Sequence, residues 1–129
     1  MKDKMRLIRS EELFLTFSER RKPMENTIFV YMTVGSKKEA LAIGNELVVN
    51  RLAACVNIID QMNSIYRWDG EIHYGSEVVM IAKTLSSKVP ELIEIVKANH
   101  SYECPCIVTL PILSGNPDFL DWIAREVKG

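Results

Sequence analysis

The sequence predicts an α+β fold of the ferredoxin-like kind, with elements in the order βαββαβ and an extra C-terminal helix. Three observations lead to this prediction: apolar β-branched runs of strand length, amphipathic stretches with helical spacing between them, and a hairpin signal between the two middle strands. The chain has 129 residues, of which 47% are hydrophobic, so one domain can fill one core.

The N-terminal segment 1–23 differs from the rest of the chain. It is rich in basic side chains, ends in Arg-Arg-Lys-Pro, and is followed at once by Met24. Its apolar content is too small to offset the cost of ordering the backbone. We therefore expect a flexible extension over 1–23 and a folded domain over 24–129.

The domain is predicted to begin with a strand and a helix. Residues 28–34 form a β-branched and aromatic run that ends at a glycine, which indicates the first strand. Ser36 and Glu39 have the spacing of a capping box, so the first helix is expected to start there and to continue to about Arg51. Gly44 inside this helix predicts a close approach to the sheet.

A long hairpin is predicted next. Residues 53–59 form the second strand, and residues 64–68 extend it after a break at Asp60-Gln61. Asp69-Gly70 indicates a two-residue turn, because both central positions of the favoured turn need positive φ. The third strand then runs to Thr84, so the hairpin should project beyond a small domain.

The second half repeats the alternation of helix and strand. Ser87 is the expected N-cap of a second helix that stops near Asn99, and residues 107–113 form the fourth strand. Asn116-Pro117 opens the last helix. The residues expected on its buried side are Phe119, Leu120, Ile123 and Val127.

Composition excludes several classes of function. The net charge of −1 provides no positive field for nucleic acid, and no apolar run is long enough for a signal peptide or a membrane span. Three cysteines form no framework of the secreted kind, which favours the cytoplasm. No phosphate loop, nucleophile elbow or carboxylate dyad is present, so we do not expect an enzyme.

Chemistry is concentrated in the loop His100-Ser101-Tyr102-Glu103-Cys104-Pro105-Cys106. An imidazole and two thiols on one turn suit a soft metal such as copper or zinc, held by His100, Cys104 and Cys106. The alternative is that both thiols pack as small hydrophobes while His100 and Tyr102 bond to neighbouring backbone. The spacing lacks the paired two-residue gap of a zinc signature, which favours packing.

Five motifs identify a resemblance. In chain order they are Arg51-Leu52-Ala53-Ala54-Cys55-Val56-Asn57, Tyr66-Arg67-Trp68-Asp69-Gly70-Glu71-Ile72, Glu77 with Lys83-Thr84, His100-Ser101-Tyr102-Glu103-Cys104-Pro105, and Asn116-Pro117-Asp118-Phe119-Leu120-Asp121-Trp122. Over this range the chain resembles the CutA family of divalent-cation tolerance proteins. The resemblance implies a ferredoxin-like homotrimer, similar in build to PII signal proteins and linked to metal tolerance.

The resemblance also implies two kinds of site. At the positions of a copper site attributed to the family, this chain has Met32, Asn99 and His100, so Met32 is a further candidate ligand. One hypothesis is therefore a metal-responsive trimer that has no obligatory cofactor and takes copper or zinc. The other is a PII-like trimeric regulator that holds a small ligand or a partner protein in its intersubunit clefts, without metal. The candidate cleft residues are Trp68, Glu77, Lys83, Tyr102 and Glu103.

Overall fold

The computed structural model describes residues 26–128, which form a four-stranded antiparallel sheet and three α-helices. The strands are β1 (Thr27–Val34), β2 (Cys55–Trp68), β3 (Glu71–Leu85) and β4 (Ile107–Pro111), and the helices are α1 (Lys37–Val49), α2 (Val89–Asn99) and α3 (Pro117–Lys128). The sheet order is β2-β3-β1-β4, in which each helical crossover joins parallel strands with a third strand between them. The predicted ferredoxin-like arrangement with its C-terminal helix is therefore confirmed. The expected extension over 1–23 lies outside the described residues.

The main core lies between α1, α2 and one face of the sheet. Side chains alternate across a strand, and in β1 the even-numbered Val30, Met32 and Val34 are fully buried. The same cluster includes Ala40, Ile43, Leu47, Leu52, Ala53, Val78, Met80, Ala82, Leu92 and Val96. A smaller cluster fixes α3 at the end of β3, where Ile123 and Val127 pack on Leu85. Within residues 26–128, no helix is both long and apolar enough to cross a membrane.

The opposite face of the sheet is not covered by the two core helices. Its central residues pair across the strands, with Tyr31 opposite both Val108 and Ile81. We call this surface the open sheet face: Phe29, Tyr31, Ile59, Ile81, Val108 and Leu110. None of the six belongs to either buried cluster of the described residues, and the outer three, Ile59, Val108 and Leu110, are about half exposed, at 54%, 50% and 49%.

The hairpin has the predicted turn and one irregularity. Asp69 and Gly70 adopt φ angles of 51° and 78°, as the primed two-residue turn requires. The predicted break at Asp60-Gln61 is a β-bulge inside one continuous strand, because two residues there oppose a single residue of β3. Gln61 takes a positive φ of 60°, and its N–H bonds to the Asp60 carboxylate.

Three local predictions need correction. Strand β2 begins at Cys55 rather than at residue 53, because the N–H groups of Leu52 and Ala53 bond back to the carbonyl of Leu47. Ser87 is not the N-cap of α2: it lies in a 3₁₀ turn, and the helix starts after Lys88. Phe119 is 42% exposed and stacks on Trp122, so it lies at the edge of the buried side of α3.

Candidate functional site

The loop 100–106 joins α2 to β4, as predicted, and it is anchored to β1 by His100. The Nε2 of His100 lies 2.7 Å from the carbonyl oxygen of Thr33, and Nδ1 accepts the backbone N–H of Tyr102 at 3.0 Å. Because Nδ1 accepts, the proton resides on Nε2, which donates to Thr33. Both ring nitrogens are therefore engaged within the protein, and the His100 side chain is fully buried.

A second anchor comes from Glu39 in the first turn of α1. Ser36 caps the helix by accepting the N–H of Glu39 at 3.1 Å, as its position in the sequence predicts. In a capping box the Glu carboxylate would return to the cap residue. Here it accepts the N–H of Ser101 at 2.6 Å and the hydroxyl of Ser101 at 3.0 Å. Glu39 therefore ties the loop to the helix, a contact over 62 residues that local sequence patterns do not reveal.

The other side of the loop faces the hairpin through a carboxylate. The Tyr102 hydroxyl donates to Glu77 Oε1 at 3.0 Å, and the Ser64 hydroxyl donates to Glu77 Oε2 at 2.5 Å. Burial, and then the hydrogen bond to Glu77, raise the pKa of Tyr102 to about 12. The phenol of Tyr102 therefore stays protonated and keeps donating its hydrogen bond to Glu77. This bond holds the carboxylate in a fixed orientation between the loop and the hairpin.

These contacts border a cleft of about 690 Å³ between the loop, the hairpin and β1. Its wall is largely aromatic, with Tyr31, Tyr66, Trp68, His73 and Tyr102, and its charged residues are Glu77 and Glu103. The remaining lining residues are Thr33, Met62, Asn63, Ser64, Ile65, Cys104 and Cys106. Since Tyr31 belongs to the open sheet face, the cleft adjoins that surface.

Four of the five predicted cleft residues come together here. Trp68, Glu77, Tyr102 and Glu103 all line the cleft. Lys83 does not line the cleft of one chain: it lies six residues along β3 from Glu77, and its ammonium group donates to the side chain of Asn57.

The predicted metal ligands do not converge in the same way. Cys104 is exposed and Cys106 half-buried, and both line the cleft, but the nitrogens of His100 are already engaged. Met32 is fully buried in the core on the helix-covered face, whereas Cys106 lies opposite Thr33 on the other face, so Met32 cannot join it. Between residues 26 and 128, no three His, Cys, Asp or Glu side chains are grouped to hold a metal ion. The predicted set does not fit a preformed metal centre.

Several cleft residues were missed from the sequence alone. Met62, Ser64 and Tyr66 alternate along β2 with the predicted Trp68 and so share its face of the hairpin, a pattern that the two-residue period of a strand could have revealed. Tyr66 also stacks on His73, its cross-strand partner, with ring centroids 5.4 Å apart. No chemistry was predicted for His73.

Comparison with known proteins gives consistent matches over the described domain. A family model described as "CutA1 divalent ion tolerance protein" matches residues 28–126. The divalent-cation tolerance protein CutA of Thermus thermophilus is 48% identical over 100 residues, which are 78% of this chain and 96% of that protein. The protein named "Protein CutA, chloroplastic" of Arabidopsis thaliana is 37% identical over 79% of this chain, but only 56% of its own length is covered. The solved structure of the "Periplasmic divalent cation tolerance protein CutA" of Archaeoglobus fulgidus has a TM-score of 0.76 and 44% identity, covering 78% of this chain and 98% of that one.

Proposed function

This chain belongs to the CutA1 family of divalent ion tolerance proteins, and from that membership we propose that it acts in tolerance of divalent cations as a homotrimer. The role proposed is binding rather than catalysis. The observation that carries the proposal is the family match over residues 28–126, which spans the sheet, the anchored loop and nearly all of α3.

The open sheet face supports assembly with further copies of the chain. Its apolar side chains run across all four strands, and a contiguous exposed apolar patch is typical of a protein–protein contact. The hairpin beyond the sheet adds two more exposed apolar residues that do not line the cleft, Ile72 and Tyr74. Copies of one chain associate with closed symmetry, so a projecting hairpin on each protomer can cover the face of the next.

Assembly at this surface would make the cleft an intersubunit site. The cleft shares Tyr31 with the open sheet face, so a copy seated there would border it directly. We propose that ligand binding in the tolerance response takes place in this cleft.

We place this function in the cytoplasm. The support is the presence of three unpaired thiols, at Cys55, Cys104 and Cys106, which suit a reducing compartment. The names of the relatives point to different compartments, chloroplast in one case and periplasm in another, so the location is specific to each member.

The function can be tested by growth on metal salts. A strain lacking this gene should grow less well than its parent on raised copper, zinc or cadmium, and the wild-type gene should restore growth. Val108→Glu on the open sheet face should fail to restore it, whereas Ala98→Glu, at an exposed position of α2, should succeed. Equal growth of the deletion strain and its parent on all three metals would contradict the proposal.

The second candidate function is a trimeric regulator that binds a small ligand or a partner protein without metal. The observation that favours it is the cleft, whose lining is aromatic and whose two thiols have no third ligand among the described residues. Metal content of the untagged protein purified under reducing conditions separates the two candidates. A bound metal in stoichiometric amount favours the first, and a metal-free trimer favours the second.

A further inference from the structure

We propose that the cleft binds an organic ammonium ion, with Glu77 as its counter-ion and the aromatic side chains of the wall in contact with it. The inference deepens the second candidate function, the metal-free regulator, since it rests on the cleft being the ligand site, and it names the chemical class of the ligand.

The charge of the cleft selects a cation. Its lining contains the carboxylates of Glu77 and Glu103, and among the described residues no Lys or Arg lines it. Glu77 is held in place by the hydroxyls of Tyr102 and Ser64, one on each oxygen. Each carboxylate oxygen has a second lone pair, so both can still accept an N–H from a ligand or face a quaternary ammonium group. An anionic ligand such as a phosphate would be repelled by both carboxylates.

The wall of the cleft selects an organic cation over a metal ion. The faces of Trp and Tyr rings attract ammonium groups, and they do so most strongly where the site is shielded from water. Tyr66 and Trp68 are 49% and 45% exposed and stand on one strand of the hairpin, while Tyr31 and Tyr102 stand across the cleft. A hard divalent ion needs several oxygen ligands at once, and within the described part of the chain the lining supplies only two carboxylates, those of Glu77 and Glu103. The absence of a grouped ligand set between residues 26 and 128 agrees with this.

Three of the four rings are held in place before any ligand arrives. Tyr66 is stacked on His73, the Tyr31 hydroxyl lies 3.5 Å from the sulfur of Met62, and Tyr102 is held by Glu77. Rings that are already ordered lose little conformational entropy when a ligand binds. The cleft is therefore preorganised for a compact cation that fits among these rings.

Choline chloride, titrated into the full chain by calorimetry at constant ionic strength, is the probe. Its uncharged isostere 3,3-dimethylbutan-1-ol has the same shape without the charge. We expect choline to bind at least about tenfold more tightly than the alcohol, because only the cation gains from Glu77 and the rings. Glu77→Gln and Trp68→Leu should each weaken choline binding by about tenfold, whereas Glu94→Gln, which removes an exposed carboxylate of α2, should not change it.

Equal affinity for choline and the alcohol, no choline binding by the wild-type chain, or equal effects of Glu77→Gln and Glu94→Gln would each overturn the proposal. Displacement of choline by an equimolar zinc salt from the double variant Cys104→Ser, Cys106→Ser would also overturn it, because the metal would then be held by the residues assigned here to the ammonium ion. Light scattering on the same samples reports the assembly separately. A monomer that binds choline would refute the homotrimer and support the ammonium site. A trimer that does not bind choline would support the homotrimer and refute the ammonium site. If the circular dichroism spectrum shows that Glu77→Gln is unfolded, the choline affinity of the Trp68→Leu variant is the deciding measurement.

Discussion

At the scale of single residues, the site depends on two carboxylates that hold one loop. Glu39 bonds to Ser101, and Glu77 bonds to Tyr102, so the loop is fixed to α1 on one side and to the hairpin on the other. His100 adds a buried bond to β1. These contacts place the loop at the mouth of the cleft, and they determine which of its side chains can meet a ligand.

The raised pKa of Tyr102 predicts a late titration. Its phenol should stay protonated past pH 10.0, the ordinary value, and lose its proton only near pH 12. Because the folded-state pKa is the higher one, the stabilisation is fully present below pH 10 and is lost as the pH rises towards 12. The measurement is ultraviolet absorbance of phenolate in the wild-type chain minus that of Tyr102→Phe. A difference that titrates at the ordinary tyrosine pKa would show that neither burial nor the hydrogen bond to Glu77 acts on this phenol.

The contacts of His100 also predict how the loop responds to a soft metal. We expect the thiols of Cys104 and Cys106, and not the imidazole, to carry any copper(I) or zinc affinity of this loop. Replacing both cysteines by Ser should lower that affinity by about tenfold or more. In the wild-type chain the affinity should decrease as the pH is lowered, because a thiol must lose its proton to bind the metal. Cys55→Ser is the matched control. Equal affinities of the double variant and the wild-type chain would assign both thiols to packing.

At the scale of elements, features that depend on neighbouring residues, such as turns, could be predicted from the sequence. Features that depend on contacts between distant residues could not. The turn at Asp69-Gly70 was predictable because positive φ is a property of two adjacent residues. Ser87 was misplaced, because β3 continues into a 3₁₀ turn that a capping residue alone does not reveal. Glu39 was assigned to its own helix end, since its true partner, Ser101, is 62 positions away. Phe119 fitted the helical pattern but lies at the margin of the buried side.

Helix α1 offers a test of its predicted close packing on the sheet. A Cβ added at Gly44 would meet Val56 Cγ1 at 3.4 Å and Met80 Cε at 3.6 Å, which are ordinary contacts. Gly44→Ala should therefore gain about 0.5–1 kcal/mol from helix propensity, seen as a higher melting temperature at matched protein concentration. Gly44→Leu should lose about 1–3 kcal/mol because it overfills the same space. A lower melting temperature for the Ala variant would mean that the helix lies closer to the sheet than these distances allow.

At the scale of the whole molecule, the fold was more predictable than the site. Strand alternation and helical spacing are both visible within short stretches of sequence, so they predict the order of strands and helices. That order in turn predicts the arrangement of the sheet. The cleft depends on the register of β2 against β3, and the bulge between Ile59 and Met62 sets that register. A shift of one residue there would turn Ser64 and Tyr66 to the other face of the hairpin. Of the predicted cleft residues, Trp68, Glu77, Tyr102 and Glu103 line the cleft of one chain and Lys83 does not, and Tyr31 was not among them.

The prediction for the N-terminal segment belongs to this scale. Deleting residues 1–23 should leave the assembly unchanged and the melting temperature within a few degrees, the shift expected for about 1 kcal/mol in a domain of this size. Calorimetric melting and light scattering of the shortened and full chains provide the comparison. Loss of assembly on deletion would assign the segment a structural role.

The homotrimer that we propose is built on the open sheet face, and the mass of the protein in solution is its most direct test. Light scattering of the full chain at micromolar concentration should give three times the 14.7 kDa of one chain. Val108→Glu should shift the mass towards the monomer because it buries a charge in the contact, and Ala98→Glu should not. A folded wild-type chain with a mass of 14.7 kDa would refute the homotrimer.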